Sequence, residues 1–233
     1  EARAVEHLAK QLSEEWEPTL QLVLEGAIPI QPVMRVIQKL NADNIPTRFE
    51  LKTEFLSGVP QRFEKDGADL MLVKDFEAPK DEYEVCELPS VHCFLVASHE
   101  HAIFSENPSK VSLEHLCDHV ELNIQVSDPD SVLMNDKRVG SPRVLNLSDF
   151  HTKKEALLLG LGFGWMPGAL IGQELSDARL KVIPFDQGEG FQFTPSLMHK
   201  KERPLGRTGQ LFRELLVEEF QNMERDFDDG APH

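Results

Sequence analysis

The sequence contains no unbroken apolar stretch of the roughly 18 residues that a membrane-spanning helix needs. We also expect no secretory signal, since the chain opens at Glu1 on a charged, helical pattern. We therefore expect a cytoplasmic protein without a membrane partner. The absence of an initiating methionine predicts that the chain is part of a longer or processed protein.

Basic residues are outnumbered by acidic ones. The chain of 233 residues has 24 Lys and Arg against 40 Asp and Glu, which gives a net charge of −16. Binding to a phosphate backbone depends on clustered positive side chains that displace counterions. The chain alone is therefore not expected to bind nucleic acid. Its length is enough for one large domain or two small ones.

Cysteine is scarce, and the motifs of common catalytic sites are missing. Cys86, Cys93 and Cys117 form an odd set without zinc-type spacing, which predicts reduced thiols, with a Cys86–Cys93 redox pair as the alternative. There is no Gly-x-Ser-x-Gly elbow and no phosphate loop. His115 and His119 have a spacing that can share a metal, but without a third ligand a solvated helix face is favoured. We predict no catalytic residue, metal or cofactor.

The most informative stretch is His151–Leu175, which predicts a helix, a buried strand and a second helix joined by tight turns. Asp149 is the expected N-cap of the first helix, and Gly160 and Gly162 are expected to end it because glycine tolerates a left-handed backbone. Phe163–Met166 is the expected strand. The apolar side of the first helix is predicted to consist of Ala156, Leu157, Leu159 and Leu161.

Strand and helix patterns alternate through both halves of the chain, which is typical of α/β folds. The order of the first three strands predicts parallel pairing with right-handed crossovers. The expected strands are Thr19–Leu24, Thr47–Phe55, Ala68–Val73, Glu82–Leu88, Val91–Ser98, Val120–Val126, Arg143–Leu147, Leu180–Pro184 and Phe191–His199. The other expected helices are Ile30–Leu40, with Val33, Ile37 and Leu40 inward, Gly58–Lys65 capped by Ser57, Val111–Leu116 capped by Ser112, and Leu205–Asp226, with Leu211, Leu215, Leu216 and Phe220 inward.

The chain carries, in order, the segments LQLVLEGAIPIQPVMRVIQKLNADNIPTRFEL, RFEKDGADLMLV, CFLVASHEHAIF, SLEHLCDHVEL and EALLLGLGFGWMPGALI. Together with an expected connecting helix at Ala2–Glu14, they resemble the effector-binding domain of LysR-type transcriptional regulators over essentially the whole chain. One departure is Glu100, which stands where the family has a proline.

The resemblance implies a two-lobe, periplasmic-binding-protein-like fold of two Rossmann-like subdomains, joined by crossover strands at Val91–Ser98 and Phe191–His199. The implied divisions are the end of a linker helix at 1–16, subdomain I at 17–97 plus 200–225, subdomain II at 98–199, and a frayed tail at 226–233. It also implies a bacterial regulator that forms dimers or tetramers, binds promoter DNA through an absent N-terminal winged helix-turn-helix, and holds a small-molecule effector between its lobes.

The candidate effector residues lie in loops that follow strands, because open α/β sheets bind ligands at the carboxyl ends of their strands. Glu25 stands where the family often has a hydroxyl residue that holds an effector carboxylate, which weakens that interpretation of the first loop. Phe55, Trp165 and Met166 favour an aromatic or apolar ligand instead, although Trp165 and Met166 also suit a core. The full set is Glu25, Gly26, Ala27, Thr53, Phe55, Ser57, Ser127, His151, Thr152, Trp165, Met166 and Pro167.

Two other classes of protein compete with this interpretation. A solute-binding protein of a transport system has the same two-lobe architecture, but it would need a signal peptide and no connecting helix. An enzyme would need a convergent nucleophile and base, or a metal set, and the sequence offers neither.

The charge balance yields a test. Because clustered positive charge is missing, this chain should give no measurable binding to duplex DNA at physiological salt. An electrophoretic mobility shift assay with the isolated chain checks this, and a clear shift would overturn the assignment of the chain to a part that does not contact DNA.

Overall fold

The computed structural model describes residues 16–55, 58–74, 76–105, 109–125, 138–188 and 190–230. The expected connecting helix at Ala2–Glu14 and the candidate residues Ser57 and Ser127 lie outside the described residues.

The described strands are β1 Thr19–Glu25, β2 Arg48–Glu54, β3 Leu70–Val73, β4 Tyr83–Glu87, β5 Val91–Ser98, β6 Glu121–Ile124, β7 Val144–Leu147, β8 Phe163–Pro167, β9 Leu180–Val182, β10 Gly190–Phe193 and β11 Ser196–Lys200. The helices are α1 Gln31–Ala42, α2 Gly58–Asp66, α3 Leu113–Cys117, α4 Phe150–Leu158, α5 Gly168–Ser176 and α6 Arg207–Gly230, with a 3-10 turn at Ala102–Phe104. The chain divides into two units: unit 2 is Val91–Phe193, and unit 1 is formed by the residues on either side of it.

Unit 1 is built on a mixed sheet with the strand order β2-β1-β3-β11-β4. β1 pairs in parallel with β2 and β3, as the sequence predicts, while β11 runs antiparallel to β3 and β4. Helix α2 covers one face through Val59 and Phe63, which pack on Val23 and Met71. Helices α1 and α6 pack together, and the Phe49 and Phe212 rings lie 6.4 Å apart. Helices on both faces are what a parallel sheet requires.

Unit 2 contains a second mixed sheet with the order β10-β5-β8-β6-β7, and β9 also pairs with β5. β6 runs parallel to β7 and β8, whereas β5 is antiparallel to β8, β9 and β10. One face carries a core that includes Leu95, Ile103, Leu116 and Phe163. On the other side α4 and α5 follow β7 and β8, so both helices begin at the carboxyl edge of the parallel strands.

The unit boundaries fall at 90/91 and 193/194, not at the expected 97/98 and 199/200. The whole of β5 pairs within the sheet of unit 2, so the chain has already changed units before Val91. The return strand expected at Phe191–His199 is two strands, β10 and β11, in different sheets. Pro195 lies between them and has no N–H for a ladder, while its carbonyl accepts from the Leu88 N–H at 2.9 Å.

The predicted helix–strand–helix unit is present as α4, β8 and α5. The Asp149 side chain accepts from the Thr152 N–H at 2.8 Å, which confirms the predicted cap. Gly160 has a φ of +70° and completes a Schellman ending, in which the Gly160 and Leu161 N–H groups donate to the Leu157 and Ala156 carbonyls. The chain turns away at this point, so the prediction that Leu159 and Leu161 belong to the buried side is wrong: both are exposed.

In two other helices, residue spacing predicted the buried face only in part. In α1 the buried side chains include Val33 and Leu40, as expected, but Val36 rather than Ile37 completes the face. In α6, Leu216 and Phe220 are buried as predicted. Leu211 and Leu215 are half-buried, and Phe212 is the buried residue that the prediction missed.

Helix α6 also continues to Gly230, so the tail expected to fray from residue 226 is helical for a further turn. Among the described helices, none combines the length and the apolarity that a bilayer span requires.

Gly162 serves a different purpose from the one predicted, since its φ is not in the left-handed region. A Cβ on Gly162 would lie 2.2 Å from the Val120 carbonyl oxygen, so the absence of a side chain lets β8 approach that backbone. Gly172 in α5 is the opposite case, because a Cβ there would meet no described atom within 4 Å.

We therefore expect Gly162→Ala to lower the free energy of unfolding by about 2 kcal/mol or more, because the backbone has to shift. Gly172→Ala should raise it by up to about 1 kcal/mol through better helix propensity. Urea unfolding of both variants and the wild type checks this. Equal stability of the two variants would contradict the close approach at Gly162.

Candidate functional site

Two of the predicted site residues, Gly26 and Phe55, lie close together at the carboxyl edge of the sheet in unit 1. The Gly26 N–H donates to the Glu54 carbonyl at 2.9 Å. A Cβ on Gly26 would lie 2.2 Å from the half-buried Phe55 ring, so a larger residue would require that ring to move. The structure therefore brings Gly26 and Phe55 together.

The other candidates of unit 1 differ in their accessibility. Glu25, the last residue of β1, is buried with 1% exposure, and Ala27 is buried beside it with 3%. Thr53 is exposed on β2, where it is in register with Leu24. A buried carboxylate at the end of β1 has to be stabilised by the protein around it.

In unit 2, His151 and Thr152 lie in the first turn of α4, as predicted, and both are exposed. The Thr152 hydroxyl donates to Asp149 Oδ2 at 2.9 Å, and the Ser148 hydroxyl donates to the same oxygen at 2.5 Å. These hydrogen bonds lower the pKa of Asp149, with the Ser148 hydroxyl as the largest cause. Thr152 therefore reinforces the helix cap, and its hydroxyl oxygen can still accept a hydrogen bond.

Trp165, Met166 and Pro167 form the carboxyl end of β8, where consecutive side chains point to opposite faces. Met166 is fully buried and Pro167 is buried, so both pack as core residues. Trp165 is half-buried, and its ring meets the Phe191 ring edge to face with centroids 5.2 Å apart. Of the three, Trp165 alone retains partial exposure.

Asn123 on β6 is a residue that the site prediction missed. The side chain is buried with 9% exposure, and its Nδ2 has no hydrogen-bond partner among the described residues. The Trp165 Nε1 is likewise buried without a partner in the described part of the chain. The signal in the sequence was a polar residue between Leu122 and Ile124 inside an apolar strand.

Lys153 is a second residue that the prediction missed. It is buried with 4% exposure beneath α4, and its ammonium donates to the Trp165 carbonyl at 2.9 Å. Gly164 makes the space, since a Cβ there would lie 2.8 Å from the Lys153 Cε. Burial lowers the pKa of Lys153 to about 8, although the Glu121 carboxylate partly opposes this shift.

Glu121 is a buried carboxylate whose burial is compensated by hydrogen bonds from backbone N–H groups. Its two oxygens accept from the N–H groups of Val139, Gly140 and Ser141 at 2.8, 3.0 and 3.1 Å. Three charge-assisted hydrogen bonds compensate for the burial of one negative charge. Glu121 therefore holds the segment that leads into β7 against the sheet.

Three histidines of unit 2, His101, His115 and His119, lie close together. The His119 ring centroid lies 4.9 Å from that of His101 and 5.3 Å from that of His115, in edge-to-face contacts. Burial lowers the pKa of both His101 and His119. Within the described ranges, no group of three His, Cys, Asp or Glu side chains is arranged to hold a metal ion.

The three cysteines are free thiols. Burial raises the pKa of the Cys86 thiol, which reduces the fraction of reactive thiolate. Cys93 is buried with 4% exposure, and it belongs to unit 2 whereas Cys86 belongs to unit 1. These surroundings give neither cysteine the features of a redox sensor.

The comparison with protein families decides what the chain is, because the model of the LysR substrate binding domain matches residues 13–221. The chain is a LysR substrate-binding domain. The predicted resemblance is therefore confirmed, and with it the prediction of a ligand-sensing regulatory domain.

Among curated relatives, this LysR domain is 26% identical over 176 residues to YhaJ, a probable HTH-type transcriptional regulator of Escherichia coli K12. The same identity holds for YhaJ of Escherichia coli O157:H7. The match covers 75% of this chain and 58% of YhaJ. The chain thus spans a little over half the length of the curated relatives that it matches.

Solved structures confirm the predicted fold class, a two-lobe, periplasmic-binding-protein-like fold. The regulatory domain of CcmR from Synechocystis PCC6803 superposes with a TM-score of 0.71 and 15% identity, over 89% of this chain and 99% of that one. The reduced regulatory domain of OxyR from Pseudomonas aeruginosa gives 0.66 and 13%, over 86% and 95%. Identities this low establish the fold alone.

The burial of Lys153 yields a test. At pH 7 its ammonium is charged in a buried site, and the lowered pKa corresponds to a cost of about 3 kcal/mol. The unfolded state binds the extra proton between about pH 8 and 10.5, so stability should rise with pH in that window. We expect Lys153→Met to be more stable than the wild type at pH 7, and the difference to shrink as the pH rises above 8.

Urea unfolding at pH 7, 8, 9 and 10 measures this difference. Lys154→Met is the matched control, since it removes the neighbouring ammonium, which lies 3.1 Å from the Glu174 carboxylate. Lower stability of Lys153→Met than of the wild type at pH 7 would show that the hydrogen bond to Trp165 outweighs the cost of burial.

Proposed function

We propose that this LysR domain is the effector-sensing part of a bacterial, cytoplasmic transcription regulator. The observation that carries the proposal is the match to the LysR substrate binding domain over residues 13–221, on a chain whose sheets present polar and aromatic side chains at their carboxyl edges. Within the full-length protein, an N-terminal winged helix-turn-helix would bind promoter DNA. The relatives' description as HTH-type regulators supports this part of the proposal.

The proposed effector is a small molecule, and the neighbours give precedent for one. The CcmR regulatory domain was solved in complex with 2-PG. The proposed contacts of this chain are the residues expected from the sequence: Glu25, Gly26, Ala27, Thr53, Phe55, Ser57, Ser127, His151, Thr152, Trp165, Met166 and Pro167. The contacts above support Phe55, Thr152 and Trp165 most, because their side chains are exposed or half-buried at the carboxyl edges.

The proposed mechanism is a shift in the arrangement of subunits in a dimer or tetramer. A ligand moves such an equilibrium only by the difference between its affinities for the two arrangements. The effector would therefore have to contact groups that are positioned differently in the two states of the assembled regulator.

Two competing functions have weaker support. A solute-binding protein of a transport system shares the architecture, but the family match is to the regulatory domain and the curated relatives are regulators. We propose no catalytic activity for the same reason, since the family contributes sensing rather than turnover.

The proposal predicts a coupling between ligand binding and DNA binding. Aromatic acids, amino acids, sugars and inorganic anions should be screened against this chain by thermal shift, because a ligand that binds the folded state raises the melting temperature. A compound that raises the melting temperature should change the affinity of the full-length protein for its promoter at least fivefold, which is the lower range of allosteric coupling.

The control is a chemically related compound that leaves the melting temperature unchanged and should leave DNA affinity unchanged. A ligand that binds this chain tightly without altering DNA affinity or the oligomeric state of the full-length protein would contradict the sensing role.

A further inference from the structure

Two buried hydrogen-bond donors lie on neighbouring strands of unit 2 without a partner among the described residues. Glu121 of β6 is in register with Phe163 of β8. Continuing this register by two residues places Asn123 beside Trp165, and both side chains then point to the same face because strands alternate with a period of two. The Asn123 Nδ2 and the Trp165 Nε1 are both buried and find no acceptor among the described residues; the His115 Nε2, outside this row, is a third buried nitrogen without a partner there.

The same row reaches an open edge of the sheet. Asn123 is also in register with Asn146 on β7, and Asn146 is exposed. On the other side, the half-buried Trp165 contacts the Phe191 ring at 5.2 Å. The row therefore runs from an accessible amide, through a buried amide, to a pair of aromatic rings.

Buried donors that lack an acceptor among the described residues are unusual in a native protein. A buried polar group without a partner costs the protein its lost hydration, so native proteins pair nearly all of them. An indole N–H can only donate, so whatever meets Trp165 has to present an acceptor. The Asn123 Nδ2 is likewise a donor, so it calls for an acceptor as well.

Charged groups of both signs lie near the row. The Glu121 carboxylate lies two residues before Asn123, and three backbone N–H groups already satisfy it. The Lys153 ammonium donates to the backbone carbonyl of Trp165 and offsets this negative charge. Adjacent strands are about 4.8 Å apart, so donors on them can reach the two oxygens of one carboxylate.

We propose that the row Asn146–Asn123–Trp165, named here the acceptor subsite, binds the acceptor oxygens of the effector, a carboxylate or a carbonyl attached to an aromatic ring. This inference rests on the proposed function and names the chemical class of its ligand.

The test uses three probes on the same ring: benzoate, acetophenone and aniline. Benzoate carries an anionic acceptor pair, acetophenone a neutral carbonyl, and aniline neither. We expect benzoate or acetophenone, at concentrations up to about 10 mM, to raise the melting temperature of the wild-type chain, and aniline to leave it unchanged. A response to benzoate alone identifies an anionic effector, and an equal response to acetophenone a neutral one.

Two variants locate the response. Asn123→Asp replaces a donor with a negative charge, and Trp165→Phe removes the indole N–H but keeps a ring against Phe191. Each should weaken binding of the responding probe at least tenfold by calorimetry. Asn41→Asp, at an exposed position of α1, is the matched control and should bind as the wild type does.

A third variant provides a readout without any ligand. Asn123→Leu removes the unpaired amide, so the melting temperature of the unliganded chain should rise by about 2–5 °C. Asn123→Val is the control for the bulk of the leucine side chain. If the melting temperature falls in both variants, the amide has a partner in the wild type, and the proposal is overturned.

The remaining outcomes separate this inference from the proposed function. Unchanged probe binding in Asn123→Asp and Trp165→Phe would overturn the acceptor subsite while leaving effector sensing intact. No response of the wild type to benzoate or acetophenone would overturn the ligand class. Failure of the proposed function itself would appear in the promoter-binding experiment, which uses ligands found without regard to their class.

Discussion

Strand β1 has to be covered on both faces, and the arrangement of unit 1 depends on this requirement. Leu22, Val23 and Leu24 are each no more than 2% exposed, so a one-sided sheet would leave a row of apolar side chains in water. Parallel pairing with β2 and β3 sends the chain through α1 and α2, and these helices supply the two covers. At about 25 cal/mol per Å² of buried apolar area, this coverage is the main stabilising contribution.

The same topology explains where polar side chains gather. Parallel strands end at one edge, and the helices that follow begin there, so residues distant in sequence meet at that edge. In unit 2 the edge has Asn123, the Asp149 cap and Trp165 on three neighbouring segments. Lys153 and Glu121 add two buried charges, each held by backbone groups. Burying such groups costs stability unless they are paired.

The stability cost and the proposed role are connected. A buried ammonium with a lowered pKa, and a buried amide without a partner in the described part of the chain, both make the unliganded domain less stable than an apolar core would. A ligand that satisfies the amide recovers part of that cost on binding. Sites of this kind bind more tightly than exposed ones because the partner groups are already desolvated and positioned.

The sequence by itself determined the local features, because each depends on residues within one turn of the chain. The Asp149 cap, the Ser112 cap, the left-handed Gly160 and the parallel order of the first three strands all follow from residue type and spacing. Family membership followed from the order of the segments. Part of the site was also within reach, since residues after strands are expected at the carboxyl edge.

Only the tertiary structure decided which of these residues meet and which are buried. Leu159 and Leu161 are apolar yet exposed, because the chain turns away at Gly160. Lys153 on helix α4 is charged yet buried, because Gly164 on strand β8 leaves space for its side chain. The placement of Asn123 near Trp165 follows from the pairing of Glu121 with Phe163, two residues about 40 apart in sequence. Spacing along one segment specifies the faces of that segment, but the neighbours of each face come from elsewhere in the chain.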